Sequence, residues 1–557
     1  MSVDILAASP THNHSEQLSE RASGVSDRVA LMLITCGWAA LAVIVNPIGE
    51  MILNDDGAYA YAVKSILETG SLKLSAWGSP NLVAQAYWGA LFCWPFGFSH
   101  TALRLSTLTL ALTALLALYI LMRETGAASM TALFGVLVLA LNPLFFELSF
   151  TFMTDVPFLA FTLVATYLLI RGIKRQSGME LGLGLLAATA ALLTRQTGLA
   201  LFFALSLTYL VKNGLNWRNV TRAAAPALLG LGVQFSYHTW LKMTGRMAPL
   251  FGKPAAAAFD VESYAMKQIA SNAVFALIYV GLFVLPLLLF IGFRRLSDLW
   301  RKQRRIATLT SIVFFAVAAF PLLRHHRMPF LLNVLYDSGL GPPTIRYDIY
   351  PLPSAGPVFW TAVTVIGIVS AALVLQILIS AVLRLLESRA HHQELLLLFV
   401  MGAIYFSPLP FLPAMYDRYL LPLVPIAIVV SLMICSTGNT PSQRWTALGV
   451  LCLLLYGGFA IAGTHDYLAW QRTRWQALRT LTVVRHIRPE QIDGGFEFNL
   501  TYRTPGGKIP IGDDLVVAFG PAPGYAEAER YTYRRWMPPG EGTVLVLRKI
   551  LPQGGGL

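Results

Sequence analysis

The chain is a succession of apolar blocks of membrane-crossing length, separated by short loops that collect its arginines and lysines. A spanning helix needs about 20 mostly apolar residues, because the bilayer core holds no water to satisfy an open backbone. Thirteen such blocks stand in the sequence, from Val29–Ile48 to Ala447–Gly463. Only 13% of the 557 residues are charged, against about 25% in soluble proteins. The pattern predicts an all-α polytopic membrane protein. A soluble multidomain enzyme is nearly excluded. The net charge of +13 sits mostly in loops beside the apolar blocks, where it carries topology, so no nucleic-acid partner is expected. Cys36, Cys93, Cys435 and Cys452 are scattered without metal-ligand spacing.

Orientation follows from the basic loops. Arg171–Arg175, Lys212–Arg222, Arg294–Arg305 and Arg384–Arg389 all fall on one side, and the positive-inside rule makes that side the cytoplasm. Residues 1–28 are then a disordered cytoplasmic tail and residues 29–463 the membrane domain. An odd number of spans leaves residues 464–557 outside, as a small α+β domain with β-like runs at Leu515–Phe519 and Thr543–Leu547. Leu181–Leu193 and Gly198–Val211 are short, and form either two spans or a hairpin that dips in and returns. Ala84–Phe98, aromatic and interrupted by Pro95, belongs to the outer interface.

Ionisable groups near a membrane are expensive and are functional suspects for that reason. Asp55 and Asp56 follow the first span in NDDGAYAYA, at the start of a helical run. Helix capping is the plain reading, but one Asp suffices for a cap. The other reading is a carboxylate at a membrane-edge cleft that takes a proton from an incoming hydroxyl. Asp155, in FTFMTDVPF, stands two residues before Pro157, again where a cap would serve. Two outer loops thus bring acid to one leaflet boundary. That suits a shared divalent metal, or a division between acceptor binding and base work.

Cations gather on the same face: Arg195 in LLTRQTG, Arg324, His325, His326 and Arg327 in RHHR, and Arg418 beside Asp417 in YDRYLLPL. Snorkelling to headgroups explains each one singly. As a set they outline an anion pocket, because guanidinium groups suit phosphate. His325 and His326 are alternative metal ligands, although helical neighbours point about 100° apart. The long outer loop Arg324–Tyr350 is rich in Gly and Pro, the composition of a shaped lid or binding surface.

These pieces resemble the GT-C membrane glycosyltransferases, in the bacterial branch related to protein O-mannosyltransferases and the lipid A aminoarabinose transferase (glycosyltransferase family 39-like). The segments that carry the likeness are NDDGAYAYAVKSILETGSL, FMTDVPF, LLTRQTGLA and YDRYLLPLVPI, followed by HDYLAWQRTRW and IDGGFEFN. Their order across residues 29–500 is as specific as the motifs. The resemblance implies an inverting transferase that moves a sugar from a polyprenyl phosphate to an acceptor hydroxyl at the periplasmic face. It implies a bacterial inner-membrane enzyme acting on a lipid, polysaccharide or protein acceptor, and the basic loops put its N-terminus in the cytoplasm. Asp55 matches the catalytic base, Asp56 its neighbour and Asp155 the second acid. Arg195 and Arg418 match the phosphate-binding cations, and RHHR adds Arg324 and Arg327. Family members often carry Glu where this chain has Asp56, so a metal role there does not transfer directly. Two rivals stand beside this reading. A secondary transporter would show internal symmetry, and none is visible. A lipid-linked polysaccharide polymerase or ligase would place its key residues in a large late loop, whereas the acids here come early.

Overall fold

A computed structural model describes the chain except for residues 1–24, 77, 79–80, 248–262, 347–349, 351, 388–391, 436–441, 503–513 and 551–557. Most of the expected N-terminal tail, and Asp348 and Arg389 of the loops named above, lie outside the described residues.

Every apolar block is helical. α1 (Asp27–Val45) leads through the short α2 (Asp56–Thr69) and α3 (Val83–Cys93) into α4 (His100–Glu124). α5 (Ser129–Ala140) and α6 (Pro143–Ser149) follow, then α7 (Asp155–Arg175), α8 (Gly178–Leu192), α9 (Leu199–Asn213) and α10 (Trp217–Met243). The second half holds α11 (Ser263–Ile291), α12 (Phe293–Lys302), α13 (Arg304–Leu323), α14 (Gly356–Glu387), α15 (Gln393–Phe406), α16 (Leu423–Cys435) and α17 (Gln443–Arg479). Among the described residues, nine helices are long and apolar enough to cross a membrane, or ten with α5 and α6 as one bent span. The protein is a multi-pass membrane protein.

The remaining blocks depart from simple spans for local reasons. Met130–Phe146, expected as one span, breaks into α5 and α6 at 66°. Pro143 has no N–H to continue the ladder, and Asn142 restarts the helix by accepting from the amides of Leu144 (3.0 Å) and Phe145 (3.3 Å). α8 and α9 have 15 residues each, about 22 Å at 1.5 Å per residue against a core of about 30 Å. α10 is long but carries Arg218, Arg222, His238 and Lys242.

The C-terminal segment builds a four-stranded sheet, with order β3–β4–β6–β5. β1 (Leu335–Tyr336) and β2 (Gly339–Leu340) are a small hairpin in the long loop, and β3 (Ile492–Asp493), β4 (Leu515–Ala518), β5 (Tyr525–Arg534) and β6 (Glu541–Lys549) form that sheet with α18 (Phe496–Tyr502) beside it. Both strand runs expected from the sequence are strands. The boundary expected at 463/464 falls inside α17, whose 37 residues reach about 56 Å. That is nearly twice the thickness of a bilayer core, about 30 Å. The far half of α17 buries Tyr467, Leu468, Trp470 and Trp475. Core residues of this sheet (Leu515, Val517, Val544, Val546) join the same apolar cluster as the membrane helices.

One buried cation ties the first loop down. Arg104 of α4 is fully buried and donates to the carbonyls of Pro47 (2.9 Å), Gly49 (2.6 Å) and Met51 (2.5 Å). Arg104→Met orphans these carbonyls, and a fall in stability of about 3 kcal/mol is expected, read as thermal melting of the purified protein.

Candidate active site

Four of the residues singled out in the sequence meet at one place, from four separate stretches of chain. Asp55 occupies the N-cap position of α2 but makes no side-chain cap bond. Its Oδ2 instead accepts from Arg418 Nη2 at 3.1 Å. Asp155 is the first residue of α7, after Thr154 at the cap position. Its Oδ1 takes a hydrogen bond from Arg195 Nη1, and its Oδ2 lies 3.6 Å from Arg418 Nη1. Capping explains neither carboxylate. The order Asp55–Arg418–Asp155–Arg195 alternates in sign, so the four formal charges sum to zero.

Aromatic rings hold the cations in plane. The Arg418 guanidinium lies over Tyr416 (5.6 Å) and Tyr419 (5.4 Å), and that of Arg195 over Tyr419 (5.2 Å) and Phe158 (6.0 Å). Cation–π contacts of this kind strengthen once water is excluded. Arg195 reaches its place because the turn after α8 is tight. A Cβ on Gly198 would stand 2.5 Å from the Leu192 amide nitrogen, so only glycine fits there.

Accessibility separates the two acids. The Asp155 side chain is 0% exposed, Arg418 7%, Arg195 17% and Asp55 24%. Asp55 is the acid an incoming group can reach, and Asp155 is walled in by guanidinium groups. Burial pushes the Asp55 carboxyl above its ordinary value, against the opposing pull of Arg418. Burial likewise raises the phenol of neighbouring Tyr59, with the charge of Asp55 adding to it.

The other candidates lie elsewhere. Asp56 points into the protein and accepts from the amides of Leu53 (2.7 Å) and Phe152 (3.4 Å); burial pushes it up to about 7. Arg324 stacks over Phe320, and His326 packs against Phe275 and Phe330. His325 has a left-handed φ of 57° just past the end of α13. Among the described hydrogen bonds and ion pairs, none joins Arg324, His325, His326 or Arg327 to the four-residue cluster. Asp417 holds the long loop by accepting from Val334 (3.1 Å) and Leu335 (2.7 Å).

A divalent cation needs several oxygen or nitrogen donors converging on one point. Among the described residues no three His, Cys, Asp or Glu side chains gather around one point. Asp55 and Asp155 both face arginines, and Asp56 faces amides. The residues as placed do not fit a cation.

Three buried charged residues went unread in the sequence. Glu147 of α6 is 2% exposed with Oε2 unpartnered; an acid inside LFFELSF was the available signal. Arg474 and Glu497 form a pair at 2.7 Å with neither side chain exposed. They sit within HDYLAWQRTRW and IDGGFEFN, where nothing distinguishes them from surface charges.

Comparison with known proteins bears on this cluster. Residues 83–240 match the family described as dolichyl-phosphate-mannose-protein mannosyltransferase. That match covers under a third of the chain. The matched stretch contains Asp155 and Arg195, half of the cluster, and stops short of Arg418. No curated protein sequence matches the chain. Loose structural likenesses accompany the family match. The S. cerevisiae protein O-mannosyltransferase Pmt1–Pmt2 complex bound to the sugar donor shares 16% identity at a TM-score of 0.32, over 41% of this chain and 35% of that one. The apo Archaeoglobus fulgidus oligosaccharyltransferase shares 13% at 0.42, over 82% of this chain and 58% of that one. Cupriavidus metallidurans ArnT bound to undecaprenyl phosphate shares 15% at 0.39, over 96% of this chain and 100% of that one. This chain therefore spans only about a third of the yeast protein and just over half of the archaeal one. Likenesses this loose assign neither site nor substrate.

Proposed function

We propose that the protein is an inverting glycosyltransferase that moves a sugar from a polyprenyl-phosphate donor to an acceptor hydroxyl at the periplasmic face of a bacterial inner membrane. The observation that carries the reading is the charge-alternating cluster Asp55–Arg418–Asp155–Arg195, built at helix ends of a multi-pass protein. The description of the matching family names a sugar on an isoprenoid phosphate, a donor whose tail must stay in lipid while its phosphate lies at the interface. The outward placement rests on the basic loops.

In this mechanism Asp55 takes the proton of the acceptor hydroxyl as it attacks the anomeric carbon, and the polyprenyl phosphate leaves from the opposite face. Arg418 and Arg195 meet the charge that grows on the departing phosphate, an electrostatic role that preorganised guanidinium groups perform without rearrangement. Asp155 holds both arginines in place. The acceptor is a lipid, polysaccharide or protein hydroxyl. Mass spectrometry of envelope glycolipids and glycoproteins, with and without the protein, tests the reading. Loss of one sugar is expected, and an unchanged set of glycans overturns it.

The acid limb of the pH profile gives a second test. A base works only when ionised, and burial raises the Asp55 carboxyl. Transfer should therefore rise with pH through a midpoint above about 4, the ordinary aspartate value. A midpoint below that value means that the Arg418 pair outweighs burial.

A further inference from the structure

The loop that carries Asp55 is held from the far end of the chain. Glu497 of α18 accepts from the Asn54 amide (3.1 Å) and the Thr344 hydroxyl (3.0 Å) through Oε1. Its Oε2 accepts from Arg474 Nη1 at 2.7 Å. Arg474 is fixed in turn by the Gly494 carbonyl (2.8 Å) and Gln471 Oε1 (3.1 Å), and its guanidinium lies over Trp470 and Trp475. Asn54 has a left-handed φ of 52°, which a non-glycine residue keeps only when its surroundings enforce it. Its Nδ2 donates to Asn333 Oδ1 at 3.0 Å. Asn54 is thus gripped at its amide by the outer segment and at its side chain by the long loop. The next residue is Asp55.

We infer that Glu497 is a positioning residue for the Asp55 carboxylate, and that the outer segment serves the site by setting the aim of its acid. The inference rests on the reading of Asp55 as the base. A carboxylate that accepts a backbone N–H makes a bond roughly twice as strong as a neutral acceptor does. It therefore selects one backbone state for Asn54, and with it one direction for the following side chain. Thr344 joins the long loop to the same carboxylate, so the acidic loop, the long loop and α18 share a single anchor.

The test uses the full-length protein in lipid nanodiscs. Glu497→Ala alone strands the buried Arg474 charge and risks unfolding, so the informative variant is the neutral pair Arg474→Met with Glu497→Leu. Amide hydrogen exchange over residues 51–59 should quicken at least about tenfold in that pair, while peptides from α4 and α7 stay unchanged. The turnover rate should fall with donor KM unchanged, and Glu497→Gln, which keeps an oxygen for the Asn54 amide, should restore slow exchange and part of the rate. A role in stability alone would lower the melting point without this split between turnover and KM. Unchanged exchange at residues 51–59 overturns the inference, and so does faster exchange with an unchanged rate. Failure of the base reading is seen separately, as full transfer by Asp55→Asn, and the exchange result stands without it.

Discussion

Asp55→Asn should give a folded, inserted protein that binds the lipid-linked donor and transfers almost no sugar. The amide is isosteric with the carboxylate and still offers an oxygen to Arg418, now 3.1 Å from Asp55 Oδ2, so packing is preserved. What is lost is the ability to accept a proton from the acceptor. A positioned base contributes about 10²- to 10⁴-fold, and a rate loss of that size is expected in a transfer assay with a polyprenyl-phosphate sugar. Removing one negative charge leaves the four-residue cluster with a net charge of +1, so binding of the anionic donor should hold or tighten. Transfer within about tenfold of the wild type would place the base elsewhere.

Arg418 variants should show the second large effect. This residue touches both acids, at 3.1 Å and 3.6 Å, and is almost wholly buried. Arg418→Ala removes the one cation between two carboxylates and leaves Asp155 to Arg195 alone. Breaking a buried pair in this way costs about 3–5 kcal/mol, seen as a lower melting temperature, and donor affinity should fall at least about tenfold with it. Arg418→Lys separates the two consequences. A lysine restores the charge and much of the stability, but its donors radiate from one compact nitrogen, without the planar fork that reaches both acids or the flat face that lies over Tyr416 and Tyr419. Donor affinity should stay low in that variant. Recovery of both properties by lysine would reduce Arg418 to a simple counter-ion.

Half of the site was legible because charge is conspicuous in an apolar chain. Asp55, Asp155, Arg195 and Arg418 stand out where every ionised group is costly, and the structure brings all four together. Their pairing was not legible, since Asp55 and Arg418 lie 363 positions apart. The DD pair was ambiguous for a geometric reason. Consecutive helical residues diverge by about 100°, so only one of the two faces Arg418, and the other turns to the amides of Leu53 and Phe152. RHHR is ambiguous in the sequence, because a dense basic run at a helix end looks the same whether it holds phosphate or rests beside aromatic rings. Arg474 and Glu497 were invisible for the opposite reason. In a polar outer segment an acid and a base attract no notice, and their burial comes from α17, α18 and the long loop closing around them. The bend at Asn142–Pro143 has its signal in the residue types, and α8 and α9 stand out by their length, but α10 is set apart from the other apolar blocks only by its polar residues.

α17 runs unbroken from the membrane bundle to Arg474. Bilayers of different thickness set different tilts on a spanning helix, and a rod of this length acts as a lever, with the swing at its tip larger than that within the lipid. The fingertip of that lever is the guanidinium that Glu497 grasps, next to the first acidic loop. A change in bilayer thickness should thus be felt at the loop that carries Asp55, as altered amide exchange at residues 51–59 between nanodiscs of short- and long-chain lipid.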